Sequence, residues 1–400
     1  MEVVKVASHV NITPSYYDVT DLIILKSITP IHVGVGGAGG VVDLPIQRDE
    51  YGYPCIYSSS IKGALKTALL YTFTKTLNDY KNARNAVQAL LGSEPEEGET
   101  ETFESSIAIL DAYLLALPTR SLKSVYAYIT SPFLLERFYE RLELLTSYLK
   151  DRENTQKLQD MLSILKIITE KEPGSSQVFC LGEDEECENL EEPHIQGGKV
   201  VLAEEFILDL NGGKKDKEQL KPIMSFLKNT LKLDKPLLIV SDEVAREIID
   251  RSIVRYTRVR LRKDTKTVEE GPWTEEYLPP RSTLYTVMLY KRPPLSKSFI
   301  NKVLGRNPEE NIGEDEYLKA LEALNLLKKD YMDEAKSEKR ILNKMSAIVG
   351  GIREKVKEMI VEQLKGYLIL GGHETIGKGI VKLEIFDSQS SLKAFGVDTK

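Results

Sequence analysis

A run of glycines between positions 34 and 40 places the strongest constraint on how this chain can fold. Its first six residues, Gly34-Val35-Gly36-Gly37-Ala38-Gly39, satisfy the pattern G-x-G-x-x-G, which holds a dinucleotide when a helix opens at the last glycine. Residues 41–45 instead read as extended, and Pro45 excludes an interior helical turn. No Gly-Lys-Ser/Thr follows, which excludes a P-loop. The sequence therefore predicts neither kind of nucleotide site.

The first helix is predicted to begin later, at Ser58, Ser59 or Ser60. Apolar residues recur there on one face of a 3.6-residue period, at Ile61, Ala64, Leu65, Ala68, Leu69 and Phe73. A serine N-cap would leave free amides at the helix start, and with Lys62 and Lys66 these would suit a phosphodiester backbone. The alternative is an ordinary capped amphipathic helix with solvated lysines.

Composition limits the classes of protein to consider. The 400 residues carry 54 Lys and Arg against 61 Asp and Glu, a net charge of −7, so any nucleic-acid surface must be a local patch. No stretch reads as a membrane span, and the N-terminus lacks a secretory pattern. We expect a soluble cytoplasmic protein without a membrane partner. Cys55, Cys180 and Cys187 are expected to be unliganded thiols, with a zinc site involving His194 as the alternative.

The most basic segment covers residues 251–266. Arg258, Arg260 and Arg262 alternate with Val259 and Leu261, so a strand would direct three guanidiniums to one face. Such a stripe would either follow a phosphate backbone or be a solvated sheet face. Elsewhere strands and helices mix without strict βαβ alternation, which favours an α+β fold.

Seven short stretches, in order along the chain, make this sequence resemble the RAMP superfamily of CRISPR proteins, and more narrowly the repeated backbone subunits of type III-B effectors. They are Thr-Pro-Ile-His-Val-Gly at 29–34, Val-Val-Asp-Leu-Pro-Ile-Gln-Arg at 41–48, Ser-Ser-Ser-Ile-Lys-Gly-Ala-Leu-Lys at 58–66, Pro-Thr-Arg-Ser-Leu-Lys at 118–123, Thr-Lys-Thr-Val-Glu-Glu-Gly at 265–271, Glu-Glu-Tyr-Leu-Pro at 275–279 and Gly-Gly-His-Glu-Thr-Ile-Gly-Lys-Gly at 371–379.

The resemblance implies an α+β fold with a ferredoxin-like, RRM-like palm, a thumb hairpin and helical insertions. We place the palm at 20–133, 200–290 and 366–388, insertions at 134–170 and 295–365, and a tail at 389–400. The thumb is expected at 171–199, as a hairpin or mobile loop, with 262–280 as the alternative. A helix break is expected at Gly350-Gly351.

The resemblance also implies a cleavage site for RNA. It places the catalytic aspartate at Asp43 and the active-site histidine at His32, with Glu275 and Tyr277 as further catalytic residues. Asp43 would hold a divalent cation, Mg²⁺ or Mn²⁺, through water and substrate phosphate. From the residues alone, Asp43 could equally cap a turn, and His32 and Tyr277 could belong to the core. His373 is expected to be structural.

The implied partners are crRNA, target RNA, further copies of the chain in a filament and other subunits of the Cmr complex. The implied function is guide binding and endonucleolytic cutting of target RNA at regular intervals. A non-catalytic scaffold and a guide-processing ribonuclease of the same superfamily are the alternatives. The residues expected to bind RNA are Arg48, Ser58, Ser59, Ser60, Lys62, Lys66, Arg120, Lys123, Arg258, Arg260, Arg262, Gly371, Gly372, Thr375, Gly377 and Lys378.

Overall fold

The computed structural model describes residues 18–37, 42–93, 104–146, 173–182, 184–191, 195, 198–210, 227 and 230–387. The strands are β1 Val19–Ser27, β2 Cys55–Ile56, β3 Ile107–Ile109, β4 Ala112–Ser121, β5 Val125–Thr130, β6 Phe179–Leu181, β7 Lys199–Leu202, β8 Phe206–Asp209, β9 Leu237–Ile239, β10 Val254–Leu261, β11 Val268–Tyr277, β12 Thr283–Tyr290, β13 Tyr367–Ile369 and β14 Ile380–Asp387. The helices are α1 Ser58–Leu77, α2 Tyr80–Leu91, α3 Pro132–Thr146, α4 Asp184–Glu188, α5 Asp242–Ser252, α6 Lys297–Leu304, α7 Glu314–Ala323, α8 Lys329–Ser337 and α9 Ile341–Glu358, which continues into a π-helical turn, Met359–Gln363.

The strand β1 lies inside the main sheet, between β12 and β14, and is antiparallel to both. β12 pairs in turn with β4, again antiparallel. Along the described residues the strand order is β13-β14-β1-β12-β4-β5-β9-β6. The chain therefore combines helices with a largely antiparallel sheet, as the predicted α+β fold requires.

Alternate residues of β1 contribute to two separate cores. Ile23 and Leu25 belong to a core that includes buried residues of α1 and α9, whereas Leu22 and Ile24 belong to a core that includes buried residues of α3. Because both faces of the strand are covered, its sequence reads as a continuous apolar run rather than as an alternating one. The apolar run at residues 22–25 lies within this strand.

The expected helix break at Gly350-Gly351 is wrong, because α9 runs through both residues. A Cβ atom at Gly351 would lie 2.7 Å from Cδ2 of Leu327 and 2.8 Å from Cβ of Tyr331. The glycine is thus a point of close packing between α9 and the preceding segment. The 295–365 range is otherwise helical over much of its length, as predicted.

The expectation of unliganded thiols is wrong for two of the three cysteines. Cys180 and Cys187 form a disulfide, because the short helix α4 folds Cys187 back onto β6. Cys55 is a buried free thiol, and burial raises its pKa to about 12.

The described part of the 171–199 segment belongs to the body of the protein. Its strand β6 is buried and pairs with β9 in the main sheet, so these residues do not form the expected projecting hairpin. Most of the insertion predicted at 134–170 and the whole tail predicted at 389–400 lie outside the described residues. Among the described helices, none combines the length and apolar character needed to cross a membrane.

Candidate RNA-cleavage site at the base of a two-stranded ribbon

The strands β10 and β11 form an antiparallel ribbon that is separate from the main sheet. Side chains of β10 and of the first half of β11 are mostly exposed, whereas the last three residues of β11, Glu275 to Tyr277, are buried. The ribbon therefore projects from the body and is anchored at its base. The ribbon contains most of residues 262–280, the alternative position predicted for the thumb.

The side chains predicted to be catalytic on β11 lie on one face of the ribbon base. Trp273, Glu275 and Tyr277 alternate along β11 and so point to the same face. Across the ladder, Arg258 pairs with Trp273 and Tyr256 with Glu275. Alternation along β11 and pairing with β10 thus bring together Glu275, Arg258 and the rings of three aromatic residues, Tyr256, Trp273 and Tyr277.

The carboxylate of Glu275 lies at the centre of this group, with 1% of its side chain exposed. Trp273 Nε1 donates to Oε1 at 2.7 Å. Arg258 Nη1, at 3.1 Å, and the Tyr277 hydroxyl both donate to Oε2. His373 Nε2 lies 3.6 Å from Oε1. We call Arg258, Trp273, Glu275, Tyr277 and His373 the Glu275 cluster.

Glu275 is held as an anion within this cluster. Burial alone would raise its pKa, but the hydrogen bonds from Tyr277, Trp273 and Arg258 outweigh burial, and the pKa of Glu275 is lowered. Burial, and next the bond to Glu275, raises the pKa of Tyr277 well above its ordinary value. The Tyr277 side chain is also buried. Both predicted catalytic residues thus lie inside the wall of the site rather than on its surface.

His32 lies next to the cluster on a different segment of the chain. Its Nδ1 is 2.7 Å from the backbone oxygen of Glu276, and because a carbonyl only accepts, Nδ1 carries the proton in this arrangement. In this tautomer Nε2 is the nitrogen without a hydrogen and can accept a hydrogen bond. The ring centroid is 5.3 Å from those of both Tyr277 and His373.

Two glycines make room for His32. A Cβ atom at Gly34 would lie 2.9 Å from His32 Nε2. Gly371 has φ +82°, and a Cβ there would lie 2.1 Å from the His32 backbone oxygen. The same oxygen accepts the amide of Gly372 at 3.0 Å. Close approach, and not phosphate binding by a nucleotide motif, explains these glycines.

Asp43 is exposed and lies at the edge of β11. Leu44 forms a parallel bridge with Glu275, and Asp43 Oδ2 accepts the amide of Thr274 at 2.7 Å, so the carboxylate extends the backbone ladder by one bond. The other oxygen of Asp43 has no hydrogen-bond partner among the described residues. Residues 42–57 contain no helix, as expected from Pro45.

The described residues supply few ligands for a cation. No three acidic, histidine or cysteine side chains come together there in a way that could hold a metal ion. A single exposed carboxylate fits only a cation whose other ligands are water and substrate phosphate. The metal assignment to Asp43 therefore stays a prediction.

The loop at 371–379 approaches the ribbon base from the C-terminal side. Lys378 Nζ lies 5.0 Å from the ring centroid of Tyr256 and 5.3 Å from that of Tyr277. Gly371, Gly372, Thr375 and Gly377 are exposed, so the predicted RNA-binding residues of this loop are accessible. The structure brings the loop, His32 and the cluster together.

The three arginines of the basic segment lie in different surroundings. Arg258 binds Glu275, whereas Arg260 lies beyond a register shift in the ladder and approaches Glu269 and Glu270 at 3.5 Å. Arg262 lies outside β10. The extra residues at the two register shifts lie on β11, so a shared face for the three guanidiniums stays a prediction.

The start of α1 differs from the predicted serine cap. Tyr57 is the N-cap and makes no capping bond with its side chain. The Tyr57 amide binds the Gln47 side chain at 2.7 Å, and the Ser58 amide binds the carboxylate of Asp111 at 2.6 Å. These two amides are thus already used within the protein, which weakens the predicted anion site. Ser59 is exposed, and Ser60, Lys62 and Lys66 are partly buried.

The remaining predicted RNA-binding residues lie in different surroundings. Arg48 is partly buried and contacts Asp250 at 3.1 Å, close to the ribbon base. Arg120 and Glu204 form an exposed ion pair at 2.9 Å, and Lys123 is exposed near the turn after β4.

No role was predicted for Trp273, and only a structural role was predicted for His373. A signal for Trp273 was available, since Trp-x-Glu-x-Tyr at 273–277 has the period of a strand face. No local signal identifies His373, because its neighbours in the cluster are more than 90 residues distant in sequence.

Comparisons with known proteins agree with this arrangement. The family described as "RAMP superfamily" matches residues 24–382. A Saccharolobus solfataricus protein named CRISPR system CMR subunit Cmr4 is 29% identical over 387 residues, covering 92% of this chain and 97% of its own length. A Pyrococcus furiosus protein named CRISPR system Cmr endoribonuclease Cmr4 is 30% identical over 297 residues, covering 71% of this chain and 87% of its own length.

Solved structures give the same result. A chain of the type III-B Cmr-beta complex in its apo state superposes with a TM-score of 0.57 at 26% identity, covering 92% of this chain and 98% of that one. A chain of Cmr-beta bound to cognate target RNA gives 0.56 at 25% identity, covering 94% and 99%. The resemblance of the seven short stretches is thereby confirmed, and the chain belongs to the RAMP superfamily.

Proposed function

We propose that this chain is the repeated backbone subunit of a type III-B CRISPR effector, which binds crRNA and cuts the paired target RNA at regular intervals. The Cmr relatives that cover 92% and 71% of the chain support this assignment. The observation that carries the cleavage activity is the meeting of an exposed Asp43 with His32 and the loop at 371–379, from distant parts of the sequence, at the base of one ribbon.

The residues are suited to cleavage by an adjacent 2′-hydroxyl. That reaction needs the hydroxyl deprotonated, the attack in line with the departing 5′-oxygen, and the phosphate charge stabilised. Asp43 keeps one carboxylate oxygen for the 2′-hydroxyl while Thr274 fixes the other. The Nε2 atom of His32 lies next to Gly34, where the absence of a side chain leaves room for it. The products would be a cyclic phosphate and a 5′-hydroxyl.

A divalent cation held by Asp43, water and the phosphate would neutralise charge on the phosphate. The chain's own residues perform the remaining tasks. Glu275, Tyr277 and His32, which are buried, would maintain the shape of the site from behind, and Asp43 would face the RNA.

We further infer that the palm is ferredoxin-like. The order β1-α1-β4-β12-α9-β14 along the chain, with β14-β1-β12-β4 across the sheet, supports this inference, because it is a βαββαβ unit with its first strand between the third and fourth. Helix α9 would then be part of the palm rather than of the insertion at 295–365. The exposed β10–β11 ribbon would be the thumb.

The proposed partners are crRNA, target RNA, further copies of this chain and other Cmr subunits. The exposed glycine loop and the exposed arginines of the ribbon support an RNA path along this side of the molecule. Guide and target would be held by phosphate contacts, which fix position without reading sequence.

Cleavage of target RNA by the assembled complex tests the proposal. Asp43→Asn should lower the cleavage rate at least about 100-fold, because it removes a charge placed at the reacting atoms. Asp333→Asn, an exposed change on α8, is the matched control. Unchanged cleavage by an intact Asp43→Asn complex would favour a non-catalytic scaffold. Cutting of precursor RNA by the isolated subunit would favour a guide-processing ribonuclease.

A further inference from the structure

His373 occupies a backbone conformation that needs an explanation. It precedes the short 3₁₀ turn Glu374–Ile376 and has φ +66°. Residues other than glycine are uncommon at positive φ, and they persist where the surrounding structure holds them. A glycine would fit this position without strain, so the side chain of His373 is the feature to be explained.

The imidazole of His373 lies among charged and titratable groups from every element packed around it. Its Nε2 is 3.6 Å from Glu275 Oε1, and its Nδ1 is 3.5 Å from Arg258 Nη1. The surrounding groups are Glu275 and Tyr277 of β11, Arg258 of β10, His32 of the N-terminal segment and Lys378 of its own loop.

His373 is more exposed than Glu275, Tyr277 and His32. Its side chain is 29% exposed, whereas that of Glu275 is 1% exposed and Tyr277 and His32 are buried. A carboxylate beside one ring nitrogen, with the ring open to solvent, is the arrangement by which proteins orient an imidazole for proton transfer.

We propose that His373 is a proton-transfer residue of the RNA-cleavage site and that Glu275 is the positioning residue that orients it. This inference rests on the proposed function. It assigns a chemical task to a side chain of the glycine loop and moves Glu275 from direct chemistry to support of His373.

The step balances as a transesterification. The 2′-oxygen forms a bond to phosphorus, and the bond from phosphorus to the 5′-oxygen breaks. The 2′-hydroxyl proton passes to Nδ1 of His373, where the hydroxyl replaces the contact with Arg258 Nη1. The departing 5′-oxygen takes a proton from solvent, and the imidazolium returns one to solvent. No oxidant, reductant or further reactant is consumed.

The protonation state of His373 agrees with this task. Burial lowers its pKa most, Glu275 opposes that effect, and His32, Arg258 and Lys378 lower the pKa further, with a net shift below the ordinary value of 6.5. The ring is therefore neutral near pH 7 and able to accept a proton.

The test uses the assembled complex with target RNA. His373→Asn and His373→Gly both tolerate positive φ, so both should assemble. Each should bind target RNA as the wild type does and cleave it about 100- to 10,000-fold more slowly. The wild-type rate should rise with pH and level off below the ordinary histidine pKa, and the variants should lose that inflection. Asp333→Asn, the exposed change on α8, is again the matched control.

Glu275→Gln separates positioning from packing. It should move the inflection of the pH profile to lower pH, because the carboxylate raises the pKa of His373, and it should add little further loss in the His373→Asn background. Wild-type rates and profiles in both His373 variants would overturn the inference while leaving the proposed function intact. A wild-type complex that binds target RNA without cutting it would instead contradict the proposed function.

Discussion

Asp43 and Glu275 are carboxylates on adjacent backbone segments, yet their surroundings differ completely. Asp43 is exposed and has one bond, from the amide of Thr274. Glu275 is buried and binds Trp273, Tyr277 and Arg258. The exposed acid can change partner when RNA arrives, whereas the buried one already uses its capacity inside the protein. The difference assigns direct contact with RNA to Asp43 and a supporting role to Glu275.

Replacing Glu275 should have the largest effect on stability. Glu275→Gln should lower the free energy of unfolding by about 3 kcal/mol, because it leaves Arg258 and two further donors without their anion. Asp43→Asn should change that free energy by less than about 0.5 kcal/mol. Denaturant unfolding of the two variants measures both, and equal losses would contradict the comparison.

Removing one donor of the Glu275 cluster should cost less. Tyr277→Phe deletes only the hydroxyl that donates to Glu275, and hydrogen bonds to charged groups contribute about 2 kcal/mol. The loss should be measurable in wild type and nearly absent in a Glu275→Gln background. A full loss in both backgrounds would mean that the hydroxyl acts independently of Glu275.

The pH dependence of stability should follow Glu275. Its folded pKa lies below the ordinary value of 4.5, so the unfolded chain binds more protons in this range. The contribution of Glu275 is therefore complete above pH 4.5 and is lost as the pH falls through the folded pKa, with a slope of at most about 1.4 kcal/mol per pH unit. Acid titrations of wild type and Glu275→Gln should converge at low pH, and parallel curves would contradict this account.

The smallest effect is expected at the exposed part of the ribbon. Arg260 approaches Glu269 and Glu270 at 3.5 Å with about two thirds of its side chain exposed. Arg260→Ala should change the free energy of unfolding by less than about 0.5 kcal/mol, since exposed ion pairs contribute little. Thermal unfolding measures this, and a loss comparable to that of Tyr277→Phe would show that the ribbon is stabilised along its whole length.

Sequence reasoning succeeded where the cause is local. The run at residues 22–26 predicts β1, and Pro45 correctly excludes a helix after the glycines. It failed where a distant contact decides. Leu327 and Tyr331 pack so close to Gly351 that no side chain fits there, and the carboxylate of Asp111 accepts the amide of Ser58. These partners lie outside the local sequence pattern around Gly351 and Ser58.

The site shows the same division. Motif order selected Asp43, His32, Glu275 and Tyr277, and the structure places them on adjoining segments. Their burial could not be read from the motifs, because it depends on which side of the ribbon faces the body. The role proposed for His373 needed the loop at 371–379 to be placed against β10 and β11, a contact across more than 90 residues.

The bond from the Gly372 amide to the His32 oxygen joins an early and a late segment of the chain, 372 − 32 = 340 residues apart. A nascent chain that has emerged only to residue 370 carries His32 and Asp43 but lacks the loop that bounds them. Capacity to cut RNA would then arise only when translation of the palm is finished, so that truncated products would not act as stray nucleases in the cell.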